Sequence, residues 1–270
     1  MIRSKNQAVL IIGGGVIGLS LARELKKKGI TRVTILERGE IGQEASSAAA
    51  GMLAPQAEAD TKDVFFDFCS ESLHLYSDFA EQLLSETGVD IELDREGTLY
   101  LAFTGKDVKE IQNRYQWQKK AGLAIESLSA NEIHQFEPFV SPDVLEGLFF
   151  PNDWQVENRK LLQALRKFGE LNNIEVIENA EVKRLLWETG KLIGVETKIS
   201  RFLAEKVVLA TGAWTSFIQT DVLELPKVKP IRGQMISFRS AQRFFSKIIY
   251  SPRGYLVPRR DGRILAGATT

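Results

Sequence analysis

The chain has a single cysteine, Cys69, among its 270 residues. No disulfide can form within these residues, and a reducing compartment is expected. There are only two histidines, His74 and His134. Neither belongs to a cluster with metal-ligand spacing, so no metal site is expected, and neither sits in a context that suggests catalysis. No sign of charge dominates: 35 basic and 35 acidic residues cancel. That balance offers no electrostatic footprint for nucleic acid or for an anionic membrane. Long apolar runs are missing too, and no segment has the roughly 20 unbroken apolar residues that a membrane span needs. Arg3 and Lys5 ahead of an apolar run imitate a signal peptide. Three glycines interrupt that run and an amphipathic stretch from Arg23 to Lys28 follows it, so a cytoplasmic protein is expected.

What is present lies first near the N-terminus. Val9-Leu10-Ile11-Ile12 reads as an apolar strand, Gly13, Gly15 and Gly18 form a G-x-G-x-x-G turn, and a helix follows through Lys28. A second strand, Arg32 to Leu36, ends at Glu37. In this pattern Gly13 permits a tight turn, Gly15 lets the backbone approach a pyrophosphate, and Gly18 lets the helix lie close to the sheet. The start of the helix presents free N–H groups and partial positive charge to phosphates. Glu37 suits the hydroxyls of an adenosine ribose and would repel a 2′-phosphate, an effect that Arg38 softens. Strand, turn, helix and acid together predict a dinucleotide-binding unit of the NAD or FAD kind.

Residues 41–60 are rich in small side chains, which would let a flat ligand lie against the backbone; a flexible surface loop or a closely packed helix suits the composition equally. Helical spacing over 63–87 (Phe65, Phe68, Leu73, Leu75, Phe79, Leu83, Leu84) predicts a core helix capped by Gly88, with Cys69 as a buried, inert thiol. Val89 to Phe103 has strand periodicity with a turn at Gly97. Helices are expected at Lys106 to Ala121, Ala130 to Phe136 and Glu157 to Leu171. Strands are expected at Leu145 to Phe150 and Ile174 to Ile177, and a hairpin turning at Glu188 to Lys191 within Val182 to Leu203. The run Lys206 to Ala210 reads as a strand buried on both faces of a parallel sheet, leading into Thr211-Gly212-Ala213-Trp214. Gln234 to Phe238, Tyr255 to Pro258 and Ile264 to Ala266 read as antiparallel strands. The pattern is α/β: the chain leaves a nucleotide-binding layer to build a mostly antiparallel one, returns, and leaves again.

Gly13-Gly14-Gly15-Val16-Ile17-Gly18, Ala45-Ser46-Ser47-Ala48-Ala49-Ala50-Gly51-Met52-Leu53, Ala210-Thr211-Gly212-Ala213-Trp214, Arg232-Gly233-Gln234 and Tyr255-Leu256-Val257-Pro258-Arg259 occur in the order of a D-amino-acid-oxidase-like flavoenzyme. The chain resembles most the glycine oxidase branch of that family, which serves thiamine biosynthesis. The resemblance extends over essentially the whole chain, and the string from Ser46 to Leu53 is its most specific part. It implies a Rossmann-like FAD-binding domain at residues 1–88 and 151–220. It implies a second, substrate-binding domain at 89–150 and 221–270, built on a mostly antiparallel sheet covered by helices.

The resemblance implies FAD held without a covalent bond. Gly13, Gly15, Val16, Ile17 and Gly18 would form the pyrophosphate turn, with Glu37 and Arg38 at the adenosine ribose. Ala45, Ser46, Ser47, Ala50, Gly51 and Met52 would line pyrophosphate and flavin, Val182 would meet the adenine end through its backbone, and Thr211 and Gly212 belong to the second dinucleotide motif. Tyr255 and Met52 would face the substrate, and Arg253 or Arg232 would supply positive charge; without the resemblance, Tyr255 reads as an ordinary strand tyrosine. No catalytic residue is identified, because the cofactor carries the hard step of such oxidations. The substrate would be a small amino acid or amine and the acceptor O₂, in a homo-oligomer that needs neither nucleic acid nor membrane. Family members continue beyond the position of Thr270 with an arginine for the substrate carboxylate, a glycine-rich loop and a last strand. Residues 1–270 alone are therefore expected to lack appreciable turnover. Three functions stay open: an FAD-dependent oxidase of glycine or a similar amine; an FAD-dependent dehydrogenase of a small amine or hydroxy substrate that uses an electron carrier; and a dinucleotide-binding fragment without turnover.

Overall fold

The strand expected at the N-terminus forms over Val9–Ile12 with all four side chains buried, and its neighbour Val33–Leu36 is buried along its length. In the computed structural model, which describes residues 2–3 and 9–267, these two strands are the centre of a parallel sheet. Val207–Leu209 lies on one side of them and Glu175–Ile177 on the other. The helix Val16–Lys27 makes the crossover and ends on Lys26 and Lys27, the charge that suits a helix C-terminus. Arg23 is a surprise on this helix. It is 1% exposed, lies over the Phe168 ring and bonds Glu86 with two nitrogens, at 2.7 and 2.9 Å. Val207–Leu209 is only half buried. It is an edge strand among the described strands, which corrects the expectation that it is covered on both faces. A second sheet in the same unit holds the hairpin Val182–Glu188 and Lys191–Thr197. Thr189 and Gly190 take φ of 47° and 76° at its tip, the left-handed pair that a two-residue hairpin loop requires.

The chain divides into two compact units. One runs to Ala48 and adds Leu83–Val89 and Asn158–Arg232; the other comprises Ala49–Gln82, Asp90–Glu157 and the chain from Gly233. The segment 49–82, which the sequence groups with the first domain, belongs to the second compact unit, and 221–232 belongs to the first. The second unit is built on a seven-stranded sheet in the order Met235–Arg239, Arg263–Gly267, Gly254–Pro258, Ile248–Ser251, Thr98–Ala102, Glu146–Phe150, Glu126–Ser129. Every neighbouring pair is antiparallel except Ile248–Ser251 with Thr98–Ala102. Helix Gly105–Lys120 packs Ile111 on one face of this sheet, with Tyr100, Leu148, Phe150 and Tyr250. Helix Ala130–Phe136 packs Ile133 on the other, with Leu99, Leu101 and Ile249. Capping boxes start both helices, Thr104 with Asp107 and Ser129 with Glu132.

Three expectations need correction here. The strand predicted over Val89 to Phe103 is confined to Thr98–Ala102. Ahead of it Asp90 and Asp94 accept the amides of Glu92 and Glu96, local turns that take the backbone out of extended form. Helix Val64–Thr87 buries Phe66, Leu73 and Leu83, but Phe65, Phe68, Leu75 and Leu84 are exposed. Its apolar residues occupy more than one face of the helix, and only the stripe with Phe66, whose ring meets Trp117 edge-on, is covered. Cys69 flanks the buried stripe and is half buried rather than enclosed, with burial pushing its thiol up. Among the described residues no helix is long and apolar enough to cross a membrane.

Candidate functional site

In the first unit the turn after Val9–Ile12 closes through contacts that exclude side chains. Gly13 has φ of 106°, and a Cβ on it would lie 2.4 Å from the Ala210 carbonyl oxygen. A Cβ on Gly18 would lie 1.9 Å from the Gly13 carbonyl oxygen, so the helix sits this close to its strand only without one. Gly15 caps the helix at an ordinary φ of −76°. Its role is therefore one of approach, since a Cβ there would come within 3.0 Å of Ser46 Oγ. The helix has no side-chain cap and no acidic residue in its first turn, which suits amides facing a phosphate. Val16 N donates to Ser46 Oγ at 3.0 Å, and Ile17 beside it is exposed.

Glu37 is buried and does more than face outward. Its Oε2 accepts the amide of Gly14 at 2.7 Å and its Oε1 that of Gly39 at 3.0 Å. The carboxylate braces the glycine turn and keeps lone pairs for further donors. Glu37 N donates to Ile177 O and Ala180 N to Glu37 O, at 2.9 and 2.8 Å. These bonds lead the chain past the strand end into Val182, which is buried and paired with Thr197. Arg38 pairs with Glu44, and its guanidinium lies 3.7 Å from the centroid of Trp214. Trp214 follows Thr211 and Gly212, whose backbone turns away at φ of 51°. Thr211 Oγ1 is 2.8 Å from Thr215 Oγ1. The sequence carried Trp214 in its second motif but gave it no partner; only the fold shows it stacked on Arg38.

The small-residue string is neither a loose loop nor one helix. It forms helix Ala45–Ala48, strand Met52–Leu53 and helix Pro55–Glu58, and the boundary between the two units falls within it. Asn158, the first residue of helix Asn158–Leu171, donates to the carbonyls of Ser46 and Ser47 at 2.8 and 3.1 Å. It fixes Ala45–Ala48 from the side, a role that nothing near it in the sequence signals.

In the second unit Gly51 has φ of 69°, and a Cβ on it would meet the Val156 carbonyl oxygen at 2.2 Å. Arg259, buried, holds this strap. Its Nη2 donates to Ala50 O at 2.5 Å and its Nη1 to Val156 O at 2.6 Å and Gln155 Oε1 at 2.9 Å. Burial lowers the Arg259 pKa, and the neighbouring Glu157 carboxylate, 3.6 Å from Nε, opposes that.

The register of the seven-stranded sheet sets Tyr100, Tyr250, Tyr255, Gly267 and Met235 side by side in one transverse row. Tyr250 and Tyr255 stack with ring planes 13° apart and centroids 6.1 Å apart. A Cβ on Gly267 would lie 2.2 Å from Tyr255 Cζ, so the ring of Tyr255 lies flat over that glycine. Met52 and Tyr255 both pack against the cluster that holds Ala54, Ala57 and Tyr250, and against that of Ala50, Ile248 and Val257. The hydroxyl of Tyr100 donates to Glu110 at 2.6 Å. Tyr255 reaches only the Met235 sulfur, at 3.9 Å, among the described residues. Burial raises the pKa of all three, most for Tyr100 and Tyr250.

Tyr255 and Met52 are thus brought together, whereas Arg253 is not with them. Its guanidinium lies 5.8 Å from the centroid of Phe103, and its charge helps hold Asp107 below the carboxylate range. Arg232 is exposed. His134 Nδ1 lies 2.7 Å from the carbonyl of Ala130 in its own helix, and His74 is exposed.

The residues fit a dinucleotide cofactor, because the glycine turn leaves no room for side chains at Gly13 and Gly18 and no acidic residue stands at the helix start. The chain matches the FAD dependent oxidoreductase (DAO) family over residues 8–270. It is 36% identical over 268 residues to the bifunctional protein ThiO/ThiG of Synechocystis sp., a match that covers 97% of this chain and 38% of that protein. It is 32% identical over 266 residues to the glycine oxidase of Pseudomonas aeruginosa, covering 98% of this chain and 71% of the relative. The chain therefore spans between about two fifths and seven tenths of the length of these relatives. It superposes on the crystal structure of glycine oxidase from Geobacillus kaustophilus with a TM-score of 0.91 and 32% identity, over 97% of this chain and 70% of the other. By fold, by glycine turn and by a family match over nearly its whole length, the chain belongs to the FAD dependent oxidoreductases.

Proposed function

We propose that the chain serves the FAD-dependent oxidation of the Cα–N bond of glycine or another small primary or secondary amino acid. O₂ is the acceptor, and an oxo acid, ammonia and hydrogen peroxide are the products. The observation that carries the reading is Tyr255, a half-buried hydroxyl with no oxygen or nitrogen partner among the described residues, packed against the same buried clusters as Met52. The likeness to proteins named glycine oxidase supports it, and the likeness to ThiO/ThiG proteins supports a role in thiamine biosynthesis.

In this reading Gly13, Gly15, Val16, Ile17 and Gly18 hold the pyrophosphate with Ala45, Ser46 and Ser47. Glu37, Arg38, Val182, Thr211 and Gly212 serve the adenosine end, and Ala50, Gly51 and Met52 serve the flavin. When bound, FAD supplies a hydride acceptor and a route for electrons to O₂. Tyr255 donates its hydroxyl to the substrate carboxylate, and Met52 shields the same spot from water. Orientation of the Cα–H is the service asked of these side chains, and it accounts for much of the rate in reactions of this kind. The resemblance further supports a cytoplasmic homo-oligomer.

The test is to mix FAD-loaded protein that carries the C-terminal stretch of the family with glycine, sarcosine or D-alanine without oxygen, residues 1–270 alone serving as the inactive comparison. Bleaching of the flavin absorbance, followed by its return and peroxide formation on admission of O₂, is expected. Bleaching that O₂ does not reverse would favour an electron-carrier dehydrogenase. A yellow protein that no amine bleaches would leave dinucleotide binding without turnover.

A further inference from the structure

One side chain, that of Arg38, joins the three stretches that the sequence links to dinucleotide binding. Arg38 follows the strand Val33–Leu36, and Trp214 follows Val207–Leu209. These strands are not neighbours: Val9–Ile12 lies between them and runs parallel to both. Gly13 N donates to Leu36 O and Ala210 N to Ile12 O, both at 2.8 Å, so the glycine turn starts between the ends of the two outer strands. The Arg38 guanidinium lies 3.7 Å from the centroid of the Trp214 ring. That contact reaches across the end of the strand that carries the turn. In open parallel sheets this is the end at which dinucleotides bind.

Both partners are held from behind. Trp214 stands on the 3₁₀ helix Gly212–Phe217, where its amide donates to Thr211 O at 3.0 Å and Thr215 Oγ1 donates to Gly212 O at 2.8 Å. Arg38 also pairs with Glu44, whose φ of 69° lies in the left-handed region that a non-glycine residue enters only under constraint. Glu44 leads directly into helix Ala45–Ala48, whose Ser46 accepts the amide of Val16. Arg38 therefore ties the second dinucleotide motif to the small-residue string, beside the Glu37 that braces the glycine turn.

We propose that Trp214 is a positioning residue for the cofactor: it holds Arg38 across the end of the glycine-turn strand, and the stack clasps bound FAD and slows its release. This rests on the placement of FAD at the glycine turn proposed above and adds the residue that keeps Arg38 in place. The attraction is that of a cation for the negative face of the indole, which a phenyl ring supplies more weakly and an aliphatic side chain does not supply. Trp214 is 39% exposed and the Arg38 side chain 30%, so the contact lies between the exposed and the desolvated case.

The test follows the rise in flavin fluorescence as FAD leaves the loaded full-length protein after dilution. Trp214→Leu should release FAD about three- to thirty-fold faster, the range of a partly covered cation–π contact. Trp214→Phe should fall between that variant and wild type, and unchanged urea-unfolding midpoints check that both folds are kept. In an Arg38→Met background, Trp214→Leu should add nothing, because the contact that it removes is already gone. Release unchanged by Trp214→Leu, or accelerated equally with and without Arg38, would overturn the inference while leaving FAD at the glycine turn. A Gly15→Val protein that keeps its FAD would overturn both.

Discussion

At the scale of single residues the glycine turn separates two kinds of constraint. Gly18 is held by the backbone itself, with the Gly13 carbonyl 1.9 Å from any Cβ, whereas Gly15 meets only the movable Ser46 hydroxyl at 3.0 Å. Gly15→Val should therefore fold with near-native circular dichroism and fail to retain flavin, because its branched side chain occupies the approach to the pyrophosphate. Gly18→Ala should lose stability outright. A yellow Gly15→Val protein would move the dinucleotide away from this turn. Glu37 carries a double load that its position at a strand end did not disclose. Truncation to Ala leaves the Gly14 and Gly39 amides without their acceptors, at about 1–3 kcal/mol for an unsatisfied buried donor. Glu37→Ala should thus lower the unfolding free energy of the apoprotein and also weaken FAD binding roughly ten- to hundred-fold. Urea unfolding and calorimetry read the two effects separately. Loss of stability with unchanged FAD affinity would reduce Glu37 to a brace for the turn.

At the scale of elements, what holds the Ala50–Gly51 strap is Arg259, far along the chain. Arg259→Met removes three buried hydrogen bonds to Ala50, Gln155 and Val156 and takes one cation from Glu157. Breaking one side of a buried pair typically costs about 3–5 kcal/mol, so a matching fall in urea-unfolding free energy is expected, with flavin retained less tightly. The start of Pro55–Glu58 makes a second, pH-dependent prediction. Asp153 is fully buried and accepts the amides of Gln56 and Ala57; burial, reinforced by the Glu58 charge, pushes its carboxyl up to about 7. The folded protein then holds this proton above the pH at which the unfolded chain releases it, near 3.9. The contribution of Asp153 to stability is complete below that lower value, falls as pH rises toward 7, and is constant beyond. Asp153→Asn should remove that fall, so that the variant gains on wild type by up to about 1.4 kcal/mol per pH unit across the window. A gap that stays flat from pH 4 to 7 would mean that Asp153 ionises normally.

The same elements show what the sequence reveals. Val9–Ile12, the glycine turn and Val33–Leu36 are legible because each rests on neighbours in sequence: apolar runs, turn glycines and an acid at a fixed spacing. The Glu188 to Lys191 hairpin is legible for the same reason. Ile248–Ser251 escapes notice because its parallel partner, Thr98–Ala102, is distant in the chain and no periodic run marks it. The transverse row exists only through register across five strands, so Tyr250 could not be found by motif. The outward apolar face of Val64–Thr87 was read as core because helical spacing reports amphipathicity and not how much of a helix its neighbours cover.

At the scale of the whole molecule, the family match covers nearly every residue. The chain belongs to the FAD dependent oxidoreductases over residues 8–270. The first compact unit has a glycine turn braced by Glu37. The second has a strap pinned by Arg259 beside a tyrosine whose hydroxyl is still available. The central claim is that this machinery oxidises a small amino acid at the Cα–N bond with O₂. The most direct measurement is a mass balance on the FAD-loaded full-length protein supplied with glycine in air. The account predicts that O₂ consumed, peroxide, ammonia and glyoxylate rise together in equal amounts, and that Tyr255→Phe slows all four alike. Oxygen uptake without ammonia, or no uptake at all by protein saturated with FAD, would contradict it.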